Sequence, residues 1–316
     1  MKVYKSLEEM PDIRNAIVSQ GTFDGVHHAH QVILNRLKNL AEGLNGETVL
    51  ITYEPHPRMV LFPDDHGLKL LTDLDEKIEL LAAQQIDHLL VLPFTKEFSR
   101  LSSLDFIKNI ILDKLKTKYL VIGYNHRFGK NREGSFEHLK EFSKAYGFEV
   151  AEIPEQDVNN VSVSSTKIRE SLLAGEIKQA NTYLSRKYCL TAQVVQGKQL
   201  GRTIGFPTAN LVILNEHKLI PADGVYAVEV EWNKQILGGM MNIGNNPTIH
   251  GKGRSMEVHI FNFSEDLYNQ TIRVSFVDKL RNEIRFSGIE TLKSQLFQDK
   301  LRALEILSNN AQQGTR

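Results

Sequence analysis

Cysteine is almost missing from this chain: Cys189 is the single one among 316 residues. One thiol excludes an intramolecular disulfide and a cysteine-rich zinc site. Net charge is missing too, because Lys plus Arg and Asp plus Glu both number 38. A chain that works on nucleic acid carries a basic surplus, since each phosphate contact needs a cation, so no nucleic-acid partner is expected. No apolar run approaches the ~18–20 residues of a membrane span, and no membrane partner is expected. The start, Met1 to Arg14, carries Glu8, Glu9 and Asp12 and lacks the apolar core of a signal peptide. These absences leave a soluble cytoplasmic protein with small-molecule substrates as the expectation, its oligomeric state left open. What is present is ordinary globular stuff, 41% hydrophobic and 24% charged. At roughly 150 residues per domain the length suggests about two domains.

The pattern changes once along the chain. Up to about residue 184, short apolar runs alternate with amphipathic stretches. Ile17-Val18, Val49 to Tyr53, His88 to Phe94, Tyr119 to Ile122 and Phe148 to Ile153 read as buried strands. Between them, Ile33, Leu37, Leu40 and Leu44, then Leu74, Ile78 and Leu81, recur at helical spacing. Ser102, with Asp105 three residues on, starts a third helix through Ile107, Ile110 and Ile111, and Leu139, Phe142 and Tyr146 mark a fourth. Buried strands alternating with helices imply a parallel sheet covered on both faces. Its ligand crevice lies beyond the carboxyl ends of the strands. From residue 185 on, the period becomes two. Val225 to Glu231 and Gln235 to Ile243 read as a hairpin broken at Asn233-Lys234, with Met256 to Phe263 and Ile272 to Val277 as further strands. A small antiparallel barrel follows from that pattern. A closing helix carries Leu292, Leu296, Ala303 and Leu307, and the tail from Asn309 to Arg316 reads as frayed. The expected domains are 1–184 and 185–316.

Three segments of the first half suit a nucleotide. Gly21, Thr22, Phe23, Asp24 and Gly25 lead from a strand to a helix that begins near His27, Ala29 and His30. The glycines let backbone approach a ligand, and a helix start offers N–H groups to phosphate. His27 and His30 suit stabilisation of charge as it transfers. Three histidines in four residues also suit a metal, or no more than a strand–helix turn. Gly123 to Gly129, with Asn125 and Arg127, then Lys130, puts cations on a loop at a strand end. Ser164, Ser165, Thr166, Lys167 and Arg169 open another helix, as caps or as a phosphate site.

In the second half no Gly-x-x-x-x-Gly-Lys-Ser/Thr loop occurs, which excludes a P-loop kinase. Instead Gly197, Lys198, Gly201, Arg202 and Gly205 lead into Phe206-Pro207-Thr208-Ala209-Asn210. Three glycines can wrap a phosphate with backbone N–H groups, though such a segment is often just a mobile loop. Thr208 and Asn210 present neutral oxygens two residues apart, a sensible pair for Mg²⁺. Glu257 shares a strand face with His259, Phe261 and Phe263, an environment that suits a proton acceptor for an alcohol. Arg281, Glu283 and Phe286 lie in a mixed-charge segment able to hydrogen-bond a heterocycle or simply to solvate a turn.

Gly21–His30 resembles the HxGH signature of the nucleotidyltransferase superfamily, and Ser164–Arg169 resembles its second phosphate-binding signature. With Tyr53–Arg58 and Gly123–Gly129, the first half is similar to the adenylyltransferase module of bacterial bifunctional riboflavin kinase/FAD synthetases. The second half resembles the riboflavin kinase domain in the order of Gly205–Asn210, Pro221–Tyr226, Asn242–Gly244, Glu257–Phe263, Asp266–Tyr268 and Leu280–Phe286. The resemblance implies a Rossmann-like domain followed by a six-stranded antiparallel barrel and a C-terminal helix. It implies phosphorylation of riboflavin to FMN, then adenylylation of FMN to FAD, with ATP and Mg²⁺. It further implies that Gly21, Phe23, Asp24, Gly25, His27, His30, Asn125, Arg127, Ser164, Ser165, Thr166 and Arg169 bind the adenylylating ATP. In the barrel, Gly197, Lys198, Gly201, Arg202, Gly205, Thr208 and Asn210 would hold Mg-ATP, Glu257 would be the base, and Arg281, Glu283 and Phe286 would meet the flavin. Ala29 stands where the family usually has Gly; the alternative is a riboflavin kinase with a degenerate first domain. Asn262 and Asn269 are the other departures, where Asp and Gly are usual.

Overall fold

The computed structural model describes all residues except 65–66, 124–127, 131–132, 154–162, 198–199, 245–253 and 314–316. The chain forms two compact units, Met1–Ser165 and Thr166–Arg316.

The first unit is built on a parallel sheet of β1 (Lys2–Tyr4), β2 (Ile17–Gln20), β3 (Thr48–Glu54), β4 (His88–Pro93), β5 (Tyr119–Gly123) and β6 (Glu149–Ile153). Their spatial order is β1-β4-β3-β2-β5-β6. β2 therefore has β3 on one side and β5 on the other. The order reverses there, which opens a crevice beyond the carboxyl ends of these two strands. Apolar side chains alternate across the sheet. Val18, Val49, Ile51, Leu90 and Leu120 face one core, while Ile17, Leu50, Leu89 and Val121 face the other. Helix α1 (His28–Gly43) covers the second face through Leu34, Leu37 and Ala41. A short α2 (Pro57–Leu61) and then α3 (Leu74–Ala83) follow β3. Asp73 and Glu76 close a reciprocal capping box on α3, satisfying two of its orphan donors. The helix begun at Ser102 starts as α4 (Ser103–Asp105) and widens into a π-helical stretch, Phe106–Lys114. α5 (Phe136–Tyr146) is capped by Ser135 and ends on Gly147 in the left-handed region.

In the second unit six antiparallel strands close into a barrel: β7 (Cys189–Val195), β8 (Ala209–Ile213), β9 (Gly224–Trp232), β10 (Gln235–Gly244), β11 (Ser255–Ile260) and β12 (Thr271–Arg281). Closure removes the unpaired edges an open sheet would leave. Asn233 and Lys234 both take positive φ, 48° and 64°, which is the two-residue turn a β9–β10 hairpin needs. α6 (Ser165–Ala174) and α7 (Ile177–Leu184) precede the barrel, and α8 (Leu200–Thr203) lies inside the glycine-rich segment. The division between units comes before the expected 184/185 boundary for a visible reason. Asn181 of α7 donates to Phe276 O and accepts from Tyr188 N, and Ala222 N donates to Leu172 O of α6. The closing helix α9 (Ile289–Gln313) runs past Asn309, so the first five residues of the expected frayed tail are helical. Strand β11 ends at Ile260, earlier than expected; Asn262 turns the chain with φ 53°.

Candidate active site

In the first unit the strand–helix turn is forced. Phe23, Gly25 and Val26 have φ of 46°, 85° and 38°. A β-branched residue at positive φ is strained, and such strain persists only where surrounding bonds over-determine it. Asp24 supplies those bonds. Its Oδ1 accepts from Leu71 N at 2.9 Å, Thr72 N at 3.1 Å and Thr72 Oγ1 at 3.4 Å. Thr72 Oγ1 in turn accepts from Gly25 N at 3.0 Å, and Ser165 Oγ donates to Asp24 O at 3.0 Å. Asp24 thus fastens the Gly21–His30 turn to the segment that leads into α3. Ser165 is brought to the same turn.

The turn presents α1 with no side-chain cap at His27. The rings of His27 and His30 stack at 3.7 Å and 14°, and Phe23 packs on His30 at 5.0 Å. Burial holds the His30 pKa well below its usual value, with the stacked His27 and nearby Lys77 acting in the same direction. His30 is therefore a neutral imidazole near pH 7, a dipolar donor rather than a cation. Ala29 is buried, at 5% exposure. Asn125 and Arg127 lie outside the described residues, and Gly129 is in the left-handed region at φ 73°. Ser164 is exposed; Thr166 and Arg169 follow on α6, and the packing groups them with the second unit.

One residue of this site escaped the sequence reading. Lys77 is 4% exposed, a cation held inside the protein. Burial lowers its pKa, and the carboxylates of Asp24, Glu54 and Asp73 offset that shift. Its signal was available: Lys77 falls on the same helical stripe as Leu74, Ile78 and Leu81, where a lysine has no reason to be unless its charge is used.

In the barrel, β11 and β8 pair Glu257 with Asn210 and Val258 with Ala209. Thr208 Oγ1 lies 3.2 Å from Glu257 Oε2 and donates to it. Thr208, Asn210 and Glu257, 49 and 47 residues apart in sequence, are thereby brought together. The glycine segment encloses them. A methyl on Gly197 would overlap the Asn210 amide, and one on Gly201 would overlap Phe206 O. Gly205 is at φ 84°, and Arg202 is exposed on α8. Lys198 lies outside the described residues. A cleft of about 310 Å³ opens between Phe206 and the start of α9, lined by Glu290, Lys293, Ser294 and Phe297.

Arg281, expected to meet the flavin, makes several contacts within the protein. Its Nε reaches both oxygens of Asp299 at 3.0 Å, Nη2 reaches Oδ2 at 2.7 Å, and Nη1 donates to Asn282 O. The Phe286 ring lies 5.7 Å from its guanidinium. Arg281 is spent on tying β12 to α9, because Asp299 is 4% exposed and needs a partner. Glu283 lies against Gly244, where even a methyl would collide with the carboxylate.

A parallel α/β unit with a glycine-turned, histidine-bearing strand end, followed by a closed barrel with a carboxylate facing Thr and Asn, defines a two-site nucleotide-handling protein. Residues 9–167 match the family model for FAD synthetase, and residues 184–307 match the one for riboflavin kinase. The bifunctional riboflavin kinase/FMN adenylyltransferase of Buchnera aphidicola subsp. Schizaphis graminum is 39% identical over 306 residues, covering 95% of this chain and 96% of that protein. Its counterpart in Escherichia coli (strain K12) is 35% identical over 301 residues, covering 95% of each. A crystal structure from Streptococcus pneumoniae, described as a macrolide-efflux protein, superposes with a TM-score of 0.85 at 30% identity, covering 95% of this chain and 97% of that one. Among the described residues of this chain no helix is long and apolar enough to cross a membrane. The chain belongs to the bifunctional riboflavin kinase/FMN adenylyltransferase family.

Proposed function

We propose that this chain makes FAD from riboflavin in two ATP-dependent steps, one in each unit. In the barrel, the ribityl 5′-hydroxyl oxygen attacks the γ-phosphorus of ATP, Glu257 takes the hydroxyl proton, and ADP leaves. The register that sets Glu257 opposite Asn210 and beside Thr208 is the observation that carries this reading. Gly197, Lys198, Gly201, Arg202 and Gly205 cradle the triphosphate. Thr208, just ahead of β8, and Asn210 on it offer neutral oxygens beside a carboxylate, a donor set that fits a Mg²⁺ keeping most of its water. When bound, that ion offsets charge on the phosphates. The flavin ring sits near Glu283 and Phe286, with Phe206 and Phe297 as apolar walls; Arg281 holds the segment in place through Asp299.

In the first unit, an oxygen of the FMN phosphate attacks the α-phosphorus of a second ATP, and pyrophosphate leaves. Gly21, Phe23 and Gly25 shape the backbone that approaches the nucleotide, and Asp24 positions that backbone from behind. The stacked His27 and His30 donate hydrogen bonds to phosphoryl oxygens, where preorganised donors are worth most. Ser164, Ser165, Asn125 and Arg127 bind the same triphosphate by resemblance to the family's motifs, and Lys77 adds positive charge near the turn.

The test is a time course with riboflavin, ATP and Mg²⁺, separating riboflavin, FMN and FAD. FMN is expected to rise first and FAD to follow. Accumulation of FMN with no FAD would refute adenylyl transfer by the first unit.

A further inference from the structure

His259 lies two residues after Glu257 on β11 and so on the same strand face. It is 7% exposed, and its ring is wedged edge-on between Phe206 at 5.3 Å and Phe261 at 5.6 Å. Its Nδ1 lies 2.7 Å from the carbonyl oxygen of Pro207. A carbonyl oxygen only accepts, so Nδ1 carries the hydrogen and donates it.

The place of this bond matters. The ladder between β8 and β11 pairs Asn210 with Glu257 and Ala209 with Val258, and β8 begins at Ala209. Thr208 and Pro207 therefore lie ahead of the strand, and Pro207 has no N–H with which to extend it. Thr208 must nevertheless stay within reach of Glu257, 3.2 Å away. β11 secures the two residues by side chains instead: Glu257 accepts from the Thr208 hydroxyl, and His259 holds the Pro207 carbonyl.

We propose that His259 is a positioning residue for phosphoryl transfer, fixing Thr208 against Glu257 through its bond to Pro207 without touching substrate. This rests on reading Thr208, Asn210 and Glu257 as the kinase site. A residue that merely fills space between Phe206 and Phe261 would be replaceable by another ring.

The full chain is tested with three substitutions. His259→Phe keeps the ring and loses the donor. His259→Asn places an amide N–H where Nδ1 stood. His259→Gln places it one atom further out, at the Nε2 position. Expected for His259→Phe is a fall of about tenfold in kcat/KM for FMN formation, on the scale of one lost hydrogen bond. The loss falls on kcat and on KM for ATP, with KM for riboflavin within about twofold and FAD formation from added FMN unchanged. His259→Asn is expected to recover to within about threefold of wild type, and His259→Gln to resemble His259→Phe. Should His259→Phe fail to fold, the contrast between the Asn and Gln variants decides the matter. Wild-type rates in His259→Phe, or equal rates in the Asn and Gln variants, overturn the proposal. A wild-type chain that makes no FMN overturns the kinase reading itself, and this proposal with it.

Discussion

Gly197→Ala tests the barrel site at a single atom. A Cβ built on Gly197 meets the Asn210 amide, with Oδ1 at 2.8 Å and the amide nitrogen nearer still, while ordinary contact begins at 3.4 Å. The obstacle is the far end of a side chain rather than backbone, so the fold has an inexpensive way out: Asn210 changes rotamer. That relaxation costs roughly 0.5–1.5 kcal/mol, and the melting temperature is expected to fall by only a few degrees. Function is expected to suffer more. The amide has to retreat by roughly 1 Å or more, and a misplacement of that size costs catalysis about 10²-fold. The assay is initial FMN formation from riboflavin, ATP and Mg²⁺, with FAD formation from added FMN as an internal control in the other unit. Gly205→Ala provides the contrast. Its Cβ meets nothing within 4 Å, but φ is 84°, so the substitution strains backbone without displacing a proposed ligand. The expected order of kinase loss is Gly197→Ala well beyond Gly205→Ala, with the control activity preserved in both. Kinase activity in Gly197→Ala within twofold of wild type would refute the role given to Asn210.

Two further outcomes follow from electrostatics. His30 has a native pKa well below 6.5 because burial strips water from its charged form. Above 6.5 it is neutral in both native and unfolded chains. As pH falls from 6.5 toward the lower native value, the unfolded chain binds a proton that the native one refuses, so stability drops. Thermal melts across that window should show a shallower decline for His30→Gln than for wild type; identical slopes would contradict the assignment. Arg281→Met should leave Asp299 buried and lacking its cation, at about 3–5 kcal/mol. The second unit's transition should fall by roughly 6–20 °C, and adding Asp299→Leu should restore part of the loss; a melt unchanged in Arg281→Met would remove the ion pair from its structural role.

The legible parts of the molecule were those with local signals. Buried apolar runs marked β2 to β6, and period-two alternation with Asn233-Lys234 marked the β9–β10 hairpin. The Gly21–Gly25 turn was readable because glycines and a following helix lie within ten residues. β1 was not, since Lys2 and Val3 are exposed and only Tyr4 packs, through its hydroxyl on His88 Nδ1 at 3.1 Å. The protein partners of Asp24 and Arg281 were not legible because they lie far along the chain. Leu71 and Thr72 are 47 and 48 residues from Asp24, and Asp299 is 18 residues from Arg281. Tertiary structure decides such roles, and charge type alone does not. His259 was noticed as a strand-mate of Glu257, but its bond to Pro207 depends on a register that only the closed barrel sets.

The most direct test of two sites on one chain is a pair of substitutions read in both assays. Glu257→Gln keeps the shape of the side chain and removes the proton acceptor; it should abolish FMN formation from riboflavin while FAD formation from added FMN proceeds at the wild-type rate. His30→Ala should do the reverse, lowering FAD formation by tenfold or more, about the loss of one transition-state donor, with FMN formation intact. Both activities lost together in either folded variant would contradict the account.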